Sequence, residues 1–161
     1  MMTDRVEEFF YRAMREGYAS YVQPEETIAQ LPGSKMITYQ EDDLKLVDFW
    51  LATRGGRSSG NTIIFHENNP VWQMHYWGWY NDEVISFLKR VLLADYGRNH
   101  LGGVDFLGCR GPKIFTGTTM TYINIVDDGG MFTHFSGREE IFSNSTGHTG
   151  CGWHKYHGGC F

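Results

Sequence analysis

Two segments carry apolar side chains at the three- and four-residue spacing of a helix that buries one face. The first is residues 3–16, with Thr3 as a cap and Gly17 as a terminator. The second is residues 82–95, which follow Asn81 as a cap. The stripes consist of Val6, Phe9, Phe10, Ala13 and Met14, and of Val84, Phe87, Leu88, Val91 and Leu92. Both patterns predict helices that pack on a core.

Runs of alternating or densely aromatic residues predict about six strands. They are separated by turn signals, of which Asn68-Asn69 and residues 127–130 are typical of antiparallel hairpins. The predicted strands are residues 44–51, 62–67, 70–80, 119–126, 131–135 and 152–158. Residues 18–43 and 97–119 are rich in Gly, Pro and polar positions and are predicted to be irregular, and residues 137–142 form a short element of undefined type.

The segment of residues 70–80 holds three Trp, two Tyr, one Met and one His. Because its side chains are bulky in both phases, it predicts a central strand with two faces to cover. Trp72, Met74 and Tyr76 share one phase, which we expect to face a cleft. The other phase, with Trp77 and Trp79, is expected to meet the helices or a partner.

The chain of 161 residues is 41% hydrophobic and 20% charged, which is typical of one globular domain spanning residues 1–161. The element order predicts an α+β fold. We expect a curved, mostly antiparallel sheet of about six strands with two helices packed on one face.

The net charge of −5 argues against direct nucleic-acid binding through a basic face. No apolar run approaches the roughly 18 residues of a membrane span, and the first residues lack the apolar segment of a signal peptide. The three cysteines are an odd number, as expected for free thiols in a reducing compartment. We therefore expect a cytoplasmic protein without a membrane partner.

A carboxylate stands among apolar neighbours in the strand of residues 44–51. Asp48 shares its phase with Leu44, Leu46 and Trp50, so it needs a polar partner inside the sheet. A cross-strand His or Tyr would complete a buried polar pair, and such pairs often line small-molecule clefts. The predicted lining is Asp48, Trp72, Met74, Tyr76, Glu140 and His157, with Glu140 included because Ile141-Phe142 anchors it beside the core.

The C-terminal segment repeats zinc-ligand residue types at every third position. They are His148, Cys151, His154, His157 and Cys160. In a strand this spacing alternates faces, and positions six apart lie about 20 Å from one another, so a common site would require a loop. No cofactor is predicted, and zinc is the metal that these side chains would suit if they came together.

Four segments, residues 48–56, 69–78, 135–142 and 156–159, resemble in order a bacterial domain of unknown function. That family occurs alone or C-terminal to XRE-type helix-turn-helix domains. The resemblance implies an α+β domain with a largely antiparallel sheet and a role in effector sensing or partner binding, and it supplies no catalytic residues. This chain contains no helix-turn-helix of its own, and Cys151 and Cys160 depart from the family's pattern.

Three functions follow as hypotheses. The first is a cytoplasmic small-molecule-binding or regulatory module with an aromatic-lined cleft for an unknown ligand. The second is a metal-assisted hydrolase using the C-terminal His and Cys residues, although no nucleophile or nucleotide-binding motif supports catalysis. The third is a homodimer or partner-docking module that uses Trp77 and Trp79.

Overall fold

The computed structural model describes residues 1–19, 26–97, 106–145 and 150–161. The helices are α1, Met2–Met14, which continues as a π-helical turn, Arg15–Ala19, and α2, Ile85–Tyr96, which follows a 3-10 turn, Asp82–Val84. The strands are β1 (Ser34–Glu41), β2 (Leu44–Ala52), β3 (Arg57–His66), β4 (Asn69–Tyr80), β5 (Ile114–Thr116), β6 (Met120–Val126), β7 (His134–Ser143) and β8 (Gly150–Cys160).

All the strands join one sheet in the order β1-β2-β3-β4-β8-β7-β6-β5, and all neighbouring pairs are antiparallel. The α+β class and the antiparallel sheet with two helices are therefore confirmed, but the sheet has eight strands rather than about six. β1 and β5 lie in segments that were predicted to be irregular. Residues 131–135 form no strand of their own, because β7 begins at His134 and extends through the element of undefined type.

The helix ends also differ from the prediction in detail. α1 begins at Met2, so Thr3 lies inside the helix and does not cap it. Gly17 does not end the helical segment, which continues as a π-helical turn to Ala19. Asn81 does act as a cap, because its side-chain oxygen accepts a hydrogen bond from the backbone N–H of Glu83 at 3.4 Å.

β4 lies in the middle of the sheet, between β3 and β8. The predicted hairpin with β3 is confirmed, and it carries one register shift near Ile64. Trp72 and Met74 are completely buried, and the Phe10 ring of α1 lies 5.0 Å from the Trp72 ring. Leu88 of α2 and Tyr76 of β4 line one cavity, so both helices cover the Trp72 phase, which we call the inner face.

The outer face is the opposite phase of the sheet. Trp77 is 44% exposed there and packs edge-to-face on Trp153 of β8 at 5.1 Å. Of the two alternatives for Trp77 and Trp79, the helices are wrong, because both helices pack on the inner face around Trp72. The other alternative, a partner on the outer face, stays a prediction. In the described part of the chain, neither helix is long and apolar enough to cross a membrane.

Candidate functional site

A cavity of about 240 Å³ lies between the inner face and the helices. Its walls come from β1, β2, β3, β4 and β8, from the end of α1 and its π-helical turn, from the 3-10 turn and the first half of α2, and from Arg110 in the segment before β5. The aromatic part of the lining is Tyr18, Trp50, Tyr76 and Tyr80. The polar and charged part is Lys35, Asp48, Ser58, Asp82, Lys89, Arg110 and His154. The cavity thus combines ring surfaces with several hydrogen-bonding groups.

Asp48 is the buried carboxylate of this cavity, with an exposed fraction of 2%. Thr62 Oγ1 donates a hydrogen bond to Asp48 Oδ1 at 2.8 Å, and Tyr76 OH donates to the same oxygen at 3.0 Å. Burial outweighs these two bonds and raises the pKa of Asp48 to about 6. The carboxyl group therefore changes its protonation state close to physiological pH. The buried Asp–Tyr pair expected from the sequence is formed.

Gly60 allows the Tyr76 ring to reach Asp48. Gly60 of β3 and Tyr76 of β4 stand directly opposite each other. A Cβ at Gly60 would lie 2.5 Å from Tyr76 Cζ and 2.6 Å from the Phe49 carbonyl oxygen. Contacts this short do not occur between real atoms, so the phenol ring lies over the backbone only because residue 60 has no side chain.

Gly60→Ala is expected to lower the free energy of unfolding by about 1–3 kcal/mol through overpacking. Urea denaturation measures the loss. The exposed turn variant Gly129→Asn is the matched control, because Asn tolerates the positive φ of 77° and a Cβ there meets nothing within 4 Å. An equal loss in both variants would show that Tyr76 does not depend on the space above Gly60.

Glu139 is the centre of a second buried network. Arg110 forms an ion pair with it, and Tyr80 and Tyr122 donate hydrogen bonds to it, the latter at 2.6 Å. The side chains of Arg110 and Glu139 are only 5% and 0% exposed. Burial is the largest single effect and raises the pKa of Glu139, but the charge and hydrogen bond of Arg110, together with His154 and the Tyr122 hydrogen bond, outweigh it and hold that pKa below its usual value. Glu139 is therefore a carboxylate held by a cation and two phenols.

His154 connects this network to the cavity wall. Its Nε2 lies 3.0 Å from Ser58 Oγ, and its ring lies 4.2 Å from the Tyr80 ring and 5.8 Å from the Tyr76 ring. Burial, together with the Arg110 charge, lowers the pKa of His154 to about 3 despite the opposing effect of Glu139. The imidazole is consequently neutral at physiological pH.

The row Ser58–His154–Glu139 has the residue types and the spatial sequence of a serine-hydrolase triad. The contacts and the pKa of His154 nevertheless oppose acyl transfer. His154 Nδ1 is 3.9 Å from Glu139 Oε1 and makes no hydrogen bond. Glu139 is already neutralised by Arg110, so it gives little support to an imidazolium. A base whose conjugate acid has a pKa of about 3 accepts the serine proton poorly. The Ser58–His154 pair is better suited to hydrogen bonding with a ligand.

The structure separates the six residues that were predicted to line a cleft. Asp48 and Tyr76 line the cavity. Trp72 and Met74 are on the same face but belong to the apolar core, where both are completely buried. Glu140 and His157 lie in the outer phase of β7 and β8. The binding role of all six residues stays a prediction. Of the six, Asp48 and Tyr76 are the two that line the cavity.

Sequence patterns did not identify the Arg110–Glu139 network. Glu139 is the neighbour of the predicted Glu140, and the observed register of β7 and β8 turns it inward opposite His154. Arg110 comes from a Gly-rich segment without periodicity. Its only sequence signal was its position next to Cys109, which is completely buried.

The C-terminal His and Cys residues are distributed over both faces of β8. His154 and Cys160 share the inner phase, whereas His157 lies in the outer phase. Cys151 lies beside the register shift between β7 and β8 and packs against the core cluster. His148 lies outside the described residues. Within residues 1–19, 26–97, 106–145 and 150–161, no three His, Cys, Asp or Glu side chains are placed to hold a metal ion together.

Residues 54–161 match DUF5680, a domain of unknown function. The chain belongs to this family. The matched segment contains Ser58, Tyr76, Arg110 and His154 of the cavity, whereas Asp48 precedes it. Comparisons with curated proteins and with solved structures find no match. Membership of DUF5680 transfers no activity or catalytic residue, so the function must be argued from the cavity itself.

Proposed function

We propose that this DUF5680 protein is a small-molecule-binding module whose ligand occupies the inner-face cavity. The buried carboxylate of Asp48 at the cavity wall carries the proposal. An ionisable group with a strongly shifted pKa in a concave, partly aromatic pocket is more typical of a functional site than of a core. Apolar residues would fill the same space without the penalty of burying a charge.

The lining defines the kind of ligand. The Trp50 and Tyr18 rings meet edge-to-face at 5.7 Å and offer apolar surface to a flat molecule. Ser58 and Asp48 add hydrogen-bonding groups to the same lining. The volume of about 240 Å³ is below the roughly 300–1,000 Å³ of pockets for drug-sized ligands. We therefore expect a molecule of about one aromatic ring with polar substituents.

The charges within the cavity argue against a strongly ionic ligand. Arg110 is already paired with Glu139, and the Lys89 ammonium lies 4.7 Å from the centre of the Tyr18 ring. Buried phenols such as Tyr76 stay protonated, because burial and the nearby Asp48 raise its pKa. The Arg110 and Lys89 charges therefore already have partners within the protein, and the Tyr76 phenol adds a neutral group to the wall. A cytoplasmic sensory or regulatory role fits a module that binds a small molecule in this way.

Ala52→Trp is expected to abolish ligand binding, because Ala52 lies at the exposed rim of the cavity and an indole there would fill the entrance. Saturation-transfer NMR with a panel of phenols, indoles and benzamides measures binding. The matched control is Leu51→Trp, one residue away on the outer face, where the native side chain is 42% exposed. We expect probe signals in the wild type and in Leu51→Trp only. Equal signals from both variants would place the binding site elsewhere.

A further inference from the structure

We propose that His75 and His157 form a binding site for a divalent late first-row transition-metal cation, with Zn²⁺ as the test ion, on the outer face of the sheet. The site lies on the opposite face from the cavity and does not depend on the proposed function. It uses one residue of the C-terminal His/Cys series, His157, with a partner from the central strand.

The sheet register brings the two imidazoles together. β4 and β8 are antiparallel neighbours, and His75 stands directly opposite His157. Their ring centres are 5.4 Å apart, with an angle of 53° between the ring planes. His157 is exposed and His75 is half-buried, so solvent and ions reach the pair. Directly opposite side chains on one sheet face are the closest cross-strand neighbours that a sheet provides.

The spacing suits a shared ion. Zinc binds imidazole nitrogens at about 2.0–2.1 Å, so two such nitrogens on one tetrahedral ion lie roughly 3.3 Å apart. Rings whose centres are 5.4 Å apart bring one nitrogen each to this separation by rotating about their side-chain bonds. The backbone therefore needs no movement.

Neighbouring strands supply the orienting groups of such a site. Asn61 Oδ1 lies 3.3 Å from His75 Nδ1 and can accept a hydrogen bond from a proton on that nitrogen, which leaves the Nε2 lone pair for a metal. Ser136 stands opposite His157 on the other side, and its hydroxyl donates to Asp127. The carboxylate of Asp127 thus adds negative charge to this row of side chains.

Burial, together with the proximity of His157, lowers the pKa of His75 and so favours the neutral imidazole that binds a metal. In the described part of the chain no third His, Cys, Asp or Glu joins the pair. Water would complete the coordination, which makes the site open rather than structural.

Isothermal titration of the untagged protein with ZnCl₂ tests the proposal. We expect saturable binding of one ion, and a loss of affinity of at least about tenfold in His75→Gln and in His157→Gln. Asn61→Leu should lose about tenfold, because it removes the orienting oxygen. The controls are His134→Gln, an exposed histidine two residues from Ser136 on the same strand, and Cys160→Ser, an exposed thiol. Both should retain wild-type affinity.

Two results would overturn this assignment. One is the absence of saturable binding in a wild-type protein whose cooperative unfolding shows that it is folded. The other is a loss of affinity in His134→Gln or Cys160→Ser as large as in the His75 and His157 variants. Imidazole resonances in long-range ¹H–¹⁵N spectra provide a second measurement, because only the two ligating rings should shift when ZnCl₂ is added.

Discussion

Arg110→Met is expected to lower the free energy of unfolding at neutral pH by about 3–5 kcal/mol, because it leaves the Glu139 carboxylate buried without its cation. Tyr80 and Tyr122 would remain as donors, but two phenols do not neutralise a charge. Burial would then dominate and raise the pKa of Glu139. The double variant Arg110→Met/Glu139→Gln should recover much of the loss, since it removes the buried charge, and the amide oxygen still accepts one phenol hydrogen bond while the amide NH2 donates to the other phenol oxygen.

The pH dependence of this loss identifies its cause. In the wild type the pKa of Glu139 is lowered, so its contribution to stability is present above the ordinary Glu pKa and disappears as the pH falls through the lowered value. In Arg110→Met the carboxyl would be protonated at mildly acidic pH, and the difference from wild type should shrink there. Urea denaturation at neutral and acidic pH measures both effects.

An exposed ion pair provides the matched control for Arg110→Met. Arg138 lies 3.3 Å from Glu140 and is 54% exposed, so Arg138→Met should change stability by less than about 1 kcal/mol. A loss below about 1 kcal/mol in Arg110→Met would contradict the description of Glu139 as a buried charge that depends on its cation.

The periodicity of apolar residues predicted the helices and strands that bury at least one whole face in the core. β4 was predicted as central because its aromatic residues fill both phases, and the structure places it between β3 and β8. The two helices were predicted from stripes that contain Phe10 and Leu88, both of which are buried. The strands that were missed, β1 and β5, lie at the two edges of the sheet. An edge strand has one neighbour and covers less of the core, so its pattern is weaker.

The candidate site was predictable only where one polar residue stood in an otherwise apolar phase of its strand. Asp48 stands out in an apolar phase, and its need for a partner predicted a contact with a His or a Tyr, which Tyr76 makes at 3.0 Å. The Arg110–Glu139 pair joins residues 29 positions apart, and no periodicity predicts which side chains such a connection brings together. Glu140 was predicted to line the cleft, whereas the inward-facing residue is Glu139. A one-residue difference in register exchanges the two faces of a strand.

The two faces of the sheet differ in what surrounds their polar groups. On the inner face, Asp48 and Glu139 are buried, so their charges carry large free-energy penalties unless they are paired or protonated. On the outer face, His75 and His157 remain accessible, and their pairing carries little penalty. The inner polar groups should therefore control stability and ligand binding together, whereas the outer pair should affect metal affinity with little effect on folding.

Asp48→Asn is expected to stabilise the protein near neutral pH by about 2–3 kcal/mol, because it removes a buried carboxyl whose pKa is raised to about 6. An asparagine oxygen accepts the same hydrogen bonds from Thr62 and Tyr76. The same change should weaken binding of polar aromatic probes in the cavity, since it removes the titratable group that the site presents. A gain in stability with a loss of binding is the trade-off expected of a functional residue.

The sign of the effect follows from the two pKa values of Asp48. Below the unfolded value of 3.8, both states are protonated and the substitution has little effect. Between 3.8 and about 6 the unfolded state loses its proton first, so wild-type stability falls as the pH rises. Above about 6 both states are ionised, and the full penalty remains.

The stabilisation by Asp48→Asn should therefore decrease by about 2 kcal/mol between about pH 7.5 and pH 4.5. Urea denaturation at the two pH values measures it. Asp128→Asn is the matched control, because Asp128 is an exposed turn residue that should show no such gain. A stabilisation that is equal at both pH values would mean that the pKa of Asp48 is the same in the folded and unfolded states, which would contradict a penalty for burying its charge.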